Sequence, residues 1–165
     1  MKIYLIGMPG SGKSSLGKEL AKKINYDFID MDLYIEKQAG MFIDEIFDLY
    51  GEEYFRDLER NVLNDFLNMD NVIIATGGGV IKNKDNKKLM DGICLYLDVS
   101  IEELENRLSK SDIERPLLKK YSVLELYNQR KELYDFFADY KINNENLEKR
   151  INDIMEVLYA KGINN

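Results

Sequence analysis

A glycine-rich stretch near the start of the chain has the composition of a phosphate-binding loop. Gly7, Gly12, Lys13 and Ser14, within GMPGSGKSS, satisfy the spacing G-x-x-x-x-G-K-S/T. In such a loop, backbone N–H groups surround phosphate oxygens, the lysine reaches the β- and γ-phosphates, and the hydroxyl holds Mg²⁺. We therefore expect nucleotide contacts from the loop residues Gly10, Ser11, Gly12, Lys13, Ser14 and Ser15.

Two aspartates follow a short apolar stretch farther along the chain. Asp30 and Asp32 come at the end of FIDMD, which reads as the end of a strand. Alternation along a strand would direct both carboxylates to one side, beside the phosphate loop. One is expected to support Mg²⁺ through water, and the other to accept a hydrogen bond from a substrate hydroxyl. The alternative is an aspartate that caps the following helix.

Glycines and arginines provide the remaining candidate contacts. Gly77, Gly78 and Gly79 follow the stretch NVIIAT, and their N–H groups can donate to ligand oxygens, although a plain tight turn has the same composition. Arg56 and Arg130 would suit a carboxylate or phosphate if they converged, because each guanidinium presents a fork of donors. Taken singly, each is equally typical of a surface residue.

A polar segment, SKSDIERPLLKK, carries Arg115 within ERPLL. An arginine on a mobile loop is what a phosphoryl-transfer lid requires, since closure excludes water and adds positive charge to the transferring group. An ordinary surface loop would have the same composition.

The elements that must position these residues alternate along the chain. KIYLI, YDFID, NVIIAT, ICLYLDV and KINN read as strands. Helical patterns fall at Lys13 to Lys23 and over LYIEKQ, IDEIFDLY, EEYFRDLERNVLNDFL, SIEELENRL, SVLELYNQRKELYDFFADY and NLEKRINDIMEVLYAKG. KNKDNKKLM reads as polar helix or loop, and SKSDIERPLLKK as loop. Such alternation predicts an α/β fold with a mainly parallel sheet and helices on both faces.

Composition excludes several classes of function. The 165 residues suit one domain, and the net charge of −7 argues against general nucleic-acid binding. The chain has no histidine, so a histidine-based triad is excluded, and its one cysteine allows no internal disulfide. No apolar run approaches a membrane span and no signal peptide is visible, which predicts a cytoplasmic protein, monomeric by default.

The second substrate decides among the nucleotide-binding classes. A GTPase would need N-K-x-D, and the nearest match, Asn83-Lys84-Asp85-Asn86, fails at its last position. A small-molecule kinase suits the length better. Three alternatives are open: the kinase that the combined motifs resemble, a gluconate or nucleotide kinase, and a non-catalytic ATP-binding module. The third would have no need of Asp32, Arg56, Arg115 and Arg130 together.

Taken together, these motifs resemble a shikimate kinase over nearly the whole chain. GMPGSGKS, FIDMD, IFDLYGEEYFRDLE, ATGGGV, ERPLL and the helix carrying NQR occur in the family's order and spacing. The resemblance implies a P-loop kinase of three α/β/α layers, with a five-stranded parallel sheet in the order 2-3-1-4-5 and a mobile lid. It also implies an enzyme that uses ATP and Mg²⁺ to phosphorylate the 3-hydroxyl of shikimate, in aromatic amino-acid biosynthesis.

The resemblance also implies a role for individual residues. Asp32 would hold shikimate hydroxyls and serve as base, Asp30 and Ser14 would lie at the magnesium, and Lys13 and Arg115 would act on the phosphates. The shikimate contacts would come from Arg56, Arg130, Gly78 and Gly79, with walls from Phe47, Phe55, Pro116 and Leu117. Arg107 matches the arginine that packs on adenine, although a solvated helix-end cation fits equally.

The resemblance implies functional segments within the chain, and one stretch of the sequence departs from the family pattern. It implies one kinase domain over residues 1–165, with a shikimate-binding segment at about 32–60 and a lid at about 109–120. The stretch INNENLEK, after the last strand, lacks the proline and small residues typical of the adenine loop. The resemblance therefore assigns no adenine contact to this stretch.

Overall fold

The centre of the fold is a parallel β-sheet. A computed structural model describes residues 1–113, 115–143 and 146–163. Within them the strands are β1 (Lys2–Ile6), β2 (Asp27–Asp30), β3 (Val72–Ala75), β4 (Ile93–Leu97) and β5 (Tyr140–Ile142). They lie in the order β2-β3-β1-β4-β5, and every neighbouring pair is parallel. The predicted fold class and strand order are confirmed.

Helices connect these strands. They are α1 (Lys13–Ile24), α2 (Met31–Ala39), α3 (Ile43–Phe66), α4 (Asn86–Leu89), α5 (Ile101–Ser109), α6 (Pro116–Lys120), α7 (Val123–Phe137) and α8 (Leu147–Ala160). A short 3₁₀ turn, Val80–Lys82, follows β3. Their starts follow from sequence: at α7, for example, Ser122 and Glu125 form a reciprocal capping box that satisfies N–H groups of the first turn.

The two faces of the sheet bury separate hydrophobic clusters, as the alternation of side chains along β1 shows. Ile3 and Leu5 pack with α1 and α8, whereas Tyr4 and Ile6 pack with α2, α3 and α7. All four side chains are fully buried. The β1 run is therefore apolar throughout, because both faces of a central parallel strand are covered by helices.

Three boundaries differ from the sequence prediction. The segment read as loop, 109–120, contains α6, since Pro116 fits the first turn of a helix. The long helix predicted to reach Tyr140 ends at Phe137, and Tyr140 begins β5. The predicted strand KINN is correct for Lys141 and Ile142, whereas Asn144 lies outside the described residues.

Helix α3 joins two stretches that the sequence analysis treated separately. Gly51 interrupts it with φ 81° and ψ 176°, a left-handed φ that glycine adopts readily. The kink separates a first segment carrying Phe47 from a second carrying Phe55 and Arg56. Within the described parts of the chain, no helix is both long and apolar enough to cross a bilayer.

Candidate active site

The phosphate-binding loop lies between the end of β1 and the first turn of α1. The Ser11 N–H donates to the Met8 carbonyl at 3.1 Å within this loop. The Lys13 ammonium folds back on the loop and donates to the carbonyls of Gly7 and Met8 at 2.9 and 3.0 Å. Desolvation lowers the pKa of Lys13 to about 8, and the negative charge of Asp32 opposes that shift. A polyphosphate would offer this ammonium charge-assisted hydrogen bonds, which are stronger than bonds to neutral carbonyls.

Asp30 caps helix α2 and also contacts the Ser14 hydroxyl, so the capping alternative is correct and the magnesium role stays a prediction. Its Oδ1 accepts the backbone N–H groups of Asp32 and Leu33 at 3.1 and 3.3 Å, which caps α2. Its Oδ2 accepts a hydrogen bond from the Ser14 hydroxyl at 2.5 Å. The described residues hold no cluster of three or more acidic, cysteine or histidine side chains that could bind a metal. Mg²⁺ commonly keeps several waters and needs only one or two protein oxygens beside substrate phosphates, so the Ser14–Asp30 pair fits it.

The position of Asp32 corrects the strand argument. β2 ends at Asp30 and α2 begins at Met31, so Asp32 lies in the first turn of a helix and strand alternation does not place it. Both carboxylates nevertheless line the same cavity. Desolvation raises the pKa of Asp32 to about 6, and the charge of Asp30 adds to the shift. A carboxylate with a pKa near neutrality is suited to accepting a proton.

Arg56 is held between two glutamates of its own helix. Its Nη1 donates to Glu59 Oε2 at 2.5 Å, and its Nη2 donates to Glu52 Oε1 at 3.2 Å. Glu52 also accepts from Lys82, just after the triple glycine, at 2.5 Å. Glu59 is 1% exposed, and this burial raises its pKa to about 7 although the Arg56 charge opposes the shift. The guanidinium is therefore fixed in one orientation at the cavity wall.

The triple glycine brings backbone and arginines into contact. A Cβ on Gly79 would lie 2.4 Å from Arg56 Nη2, so any larger residue would displace the guanidinium. A Cβ on Gly78 would lie 3.1 Å from Nη1 of Arg130, which is 3% exposed. The two arginines thus approach the same turn, from α3 and from α7.

The lid segment places Arg115 at the start of α6. The Arg115 guanidinium donates to the Ile113 carbonyl at 3.3 Å and to the Ser111 hydroxyl at 3.5 Å. Desolvation lowers its pKa, which the charge of Asp32 opposes. Leu117 and Leu118 pack against the hydrophobic cluster. Glu114, the first residue of the ERPLL motif, lies outside the described residues.

Two further arginines hold the outer side of the phosphate loop. Arg107 donates from Nε to Glu103 at 2.6 Å, and from Nη1 to the carbonyls of Gly10 and Ser11 at 3.4 and 3.3 Å. Arg150, on α8, donates from Nη1 to the same Ser11 carbonyl at 2.7 Å and is 2% exposed. The sequence analysis assigned no role to Arg150.

These groups line one cavity of about 560 Å³. The predicted site residues on its wall are Gly10, Gly12, Lys13, Ser14, Ser15, Asp30, Asp32, Phe47, Phe55, Arg56, Gly78, Gly79, Arg107, Arg115, Pro116, Leu117 and Arg130. Ser11 is the exception. It is fully buried within the loop, and its backbone carbonyl accepts hydrogen bonds from Arg107 and Arg150. The structure brings the predicted residues together, while their roles stay predictions.

Several lining residues were missed by sequence reasoning. Glu59 and Arg150 line the cavity, and no role in binding was predicted for either of them. Leu147 also lines it and belongs to INNENLEK, to which no adenine contact was assigned; residues 144 and 145 of that stretch lie outside the described residues. Tyr134 does not line the cavity but contacts its wall, and its only sequence signal is the spacing of four residues from Arg130.

The cavity has two ends with different chemistry. Backbone N–H groups, Lys13, Arg107 and Arg115 suit a polyanion at one end. Asp32, Arg56 and Arg130 suit an acceptor that carries both a hydroxyl and a carboxylate at the other. The arrangement is that of a group transfer between two substrates held in one cavity.

A family model and curated relatives agree on the family to which this sequence is similar. The family model described as shikimate kinase matches residues 9–159. A curated shikimate kinase of Sulfurihydrogenibium sp. (strain YO3AOP1) is 41% identical over 163 residues, which cover 96% of each chain.

Solved structures agree with the sequence comparison. The shikimate kinase of Bacteroides thetaiotaomicron is 33% identical and superposes with a TM-score of 0.88, covering 96% of this chain and 98% of its own. The shikimate kinase of Acinetobacter baumannii, solved in complex with shikimate, is 29% identical with a TM-score of 0.86 and covers 99% and 95%.

Proposed function

The chain belongs to the shikimate kinase family, so its activity is the ATP-dependent phosphorylation of shikimate, and we propose which of its residues perform that reaction. One observation supports the proposal most directly. A single cavity joins the phosphate loop and Lys13 to a carboxylate, Asp32, and to two guanidinium groups, Arg56 and Arg130.

The nucleotide end binds ATP in the proposed reaction. The N–H groups of Gly10 and of Gly12 to Ser15 hold the phosphates together with the Lys13 ammonium, and Arg107 packs on adenine. The predicted contact from Ser11 is excluded, because Ser11 is fully buried and its N–H donates to the Met8 carbonyl. Ser14 and Asp30 hold Mg²⁺, which supplies positive charge at the phosphate oxygens. The 2.5 Å contact between Ser14 and Asp30 supports this assignment, because both oxygens already face one point.

The acceptor end binds shikimate. Arg56 and Arg130 clamp its carboxylate, Gly78 and Gly79 donate N–H groups to the ring substituents, and Asp32 holds the reacting hydroxyl. Phe47, Phe55, Pro116 and Leu117 form the apolar walls. The contact between Phe47 and Phe55, with ring centroids 4.9 Å apart, provides an apolar surface of this kind.

In the proposed transfer, the 3-hydroxyl oxygen of shikimate attacks the γ-phosphorus of ATP. Asp32 orients this hydroxyl and accepts its proton as the new O–P bond forms and the bond to ADP breaks. Lys13 and Arg115 offset the charge on the phosphoryl oxygens. Most of the catalysis is then positioning and charge compensation.

The proposal extends to the organisation of the protein. Residues 1–165 form one kinase domain, in which about 32–60 bind shikimate and about 109–120 close over ATP as a lid. The enzyme acts as a monomer in the cytoplasm, where ATP is available, without nucleic-acid or membrane partners. Sedimentation equilibrium at several protein concentrations tests the monomer.

The deciding experiment measures ADP release from ATP and Mg²⁺ with shikimate, gluconate or a nucleoside monophosphate as acceptor. We expect release that depends on shikimate, and a product phosphorylated at the 3-hydroxyl. ADP release with gluconate or a nucleoside monophosphate, but not with shikimate, would show that shikimate is not the acceptor. ATP binding without ADP release in the presence of any acceptor would show that the protein is a non-catalytic ATP-binding module.

A further inference from the structure

Tyr134 contacts the triple glycine but does not line the cavity. Its side chain is fully buried in the last turn of α7, and its ring stacks on Tyr96 of β4 with centroids 4.9 Å apart and an interplanar angle of 19°. Its hydroxyl donates a hydrogen bond to the Gly78 carbonyl at 2.5 Å. A residue far from the turn in sequence thus fixes the backbone that is proposed to contact the substrate.

The hydrogen bond from Tyr134 sets the direction of a neighbouring donor. The Gly78–Gly79 peptide is trans, so its carbonyl and its N–H point to opposite sides of one rigid plane. When the Gly78 oxygen is held toward α7, the Gly79 N–H must point away from α7. Two consecutive glycines would otherwise leave this plane free to rotate, because glycine restricts its backbone dihedrals least.

The same hydroxyl also interacts with Arg130, one helical turn earlier on α7. The charge of Arg130 acts on this hydroxyl, and Nη1 of Arg130 lies 3.1 Å from the position of a Cβ on Gly78. The Tyr134 hydroxyl therefore interacts with two groups of the acceptor end: with the Gly78 carbonyl through a hydrogen bond, and with Arg130 through its charge.

Burial keeps this hydroxyl in its donating form. Desolvation raises the pKa of Tyr134, while the charge of Arg130 opposes the shift. A neutral phenol retains the proton that the Gly78 carbonyl requires, so the link does not break with pH in the neutral range.

We propose that Tyr134 is a positioning residue for the acceptor substrate, which holds the Gly78–Gly79 peptide in one orientation beside the Arg130 guanidinium. The inference rests on the proposed function, in which both the peptide and the guanidinium contact shikimate. It adds a residue that does not line the cavity and that acts at the acceptor end, since its hydroxyl donates to the Gly78 carbonyl.

The test compares Tyr134→Phe with Tyr96→Phe. Each removes one phenolic oxygen from the same ring stack, but the Tyr96 hydroxyl donates to Asp98 at 3.1 Å, away from the triple glycine. We expect Tyr134→Phe to raise the KM and the calorimetric Kd for shikimate about tenfold, the usual effect of one lost hydrogen bond, with the KM for ATP unchanged. Tyr96→Phe should leave all three constants near wild type.

Thermal unfolding of both variants controls for stability. A merely structural role would weaken ATP and shikimate binding together, or would affect both variants alike, and either result would overturn the inference. Normal shikimate affinity in Tyr134→Phe would overturn it as well. If the wild-type protein neither binds nor phosphorylates shikimate, the proposed function is wrong. If only the Tyr134→Phe result departs from expectation, the inference about Tyr134 is wrong and the proposed function stands.

A double-mutant cycle tests the link through Arg130. If Tyr134 acts partly through that guanidinium, the penalty of Tyr134→Phe on shikimate Kd should be smaller in an Arg130→Lys background. Penalties that multiply independently would show that the claimed link to Arg130 is wrong.

Discussion

The two ends of the cavity are built in different ways. The nucleotide end comes mainly from one continuous stretch, residues 7–15, whose ligand groups are largely backbone N–H. The acceptor end comes from side chains on α2, α3 and α7 and from the turn after β3, which are separated by up to about a hundred residues. One end is therefore a local motif, and the other exists only when distant elements are packed together.

The ends also differ in how their charges are maintained. Backbone dipoles at the phosphate loop do not titrate, and Lys13 beside them has a pKa lowered to about 8, whereas the acceptor end holds Asp32 and Glu59 with pKa values raised to about 6 and about 7. Oδ1 of Asp32 and Oε1 of Glu59 lie 2.8 and 2.7 Å from the position of a Cβ on Gly77, so these carboxyl groups are crowded together. Ligand affinity at the acceptor end should therefore respond at a lower pH, and it should depend more on the loss of single side chains.

The largest effect is expected at Lys13, whose ammonium lies in the phosphate loop itself. Lys13→Ala should lower kcat by about 10²–10³-fold, because a preorganised cation at the transferring phosphoryl group is lost. Shikimate binding, measured by calorimetry without nucleotide, should persist. Lys22→Ala, at an exposed position of the same helix, is the matched control. Turnover near wild type would show that the loop acts through its backbone alone.

The second prediction separates activity from stability at Asp32. Asp32→Asn should lower kcat about 10²-fold or more, because the proton acceptor is lost. It should also stabilise the fold at pH 8. A carboxyl group whose pKa is raised from 3.8 to about 6 on folding costs stability once it ionises in the folded state, by at most about 3 kcal/mol.

The sign of this effect fixes its pH window. The stability that the protonated Asp32 provides is fully present below pH 3.8 and is lost as the pH rises through about 6. The gain from Asp32→Asn should therefore appear in thermal unfolding at pH 8 and vanish near pH 4. Asp48→Asn, at an exposed position on α3, is the control. A pH-independent gain would contradict the assignment.

The third prediction tests the acceptor end through its clamp. Arg56→Ala should raise the KM for shikimate about 30- to 100-fold and leave that for ATP unchanged, since a charge-assisted contact is lost. It should also destabilise the protein, because Glu59 stays buried without its partner. Arg56→Ala/Glu59→Gln should recover much of that stability but not the KM. Arg60→Ala, one turn farther along α3, is the matched control. Normal shikimate kinetics in Arg56→Ala would refute the clamp.

The smallest effect is expected from the support behind the phosphate loop. Arg150→Lys should raise the KM for ATP by about 3- to 10-fold, because lysine cannot reproduce the buried guanidinium bond to the Ser11 carbonyl. Shikimate KM should not change. Lys149→Ala, at the exposed neighbouring position, should have no effect. Equal changes for both substrates would mean that Arg150 supports the fold as a whole.

The sequence predicted the strands and the position of the glycine-rich loop well because the information for both is local. The apolar runs, the alternation of strands with helices and the loop spacing all lie within short stretches, and the resemblance supplied the order 2-3-1-4-5. The errors lay where local patterns conflict. Asp32 was assigned to a strand because the sequence does not show that the cap at Asp30 already begins α2.

What the sequence by itself determined is therefore the family, the strands of the sheet and most of the groups that line the cavity. Tertiary structure alone decided how those groups are held: Arg56 by Glu52 and Glu59, Gly78 by Tyr134, and Ser11 by Arg150. The physical reason is that helix periodicity tells which residues share a face but not which element lies opposite. Arg150 sits 139 residues from its partner, so only the packing of α8 beside α1 could reveal the contact.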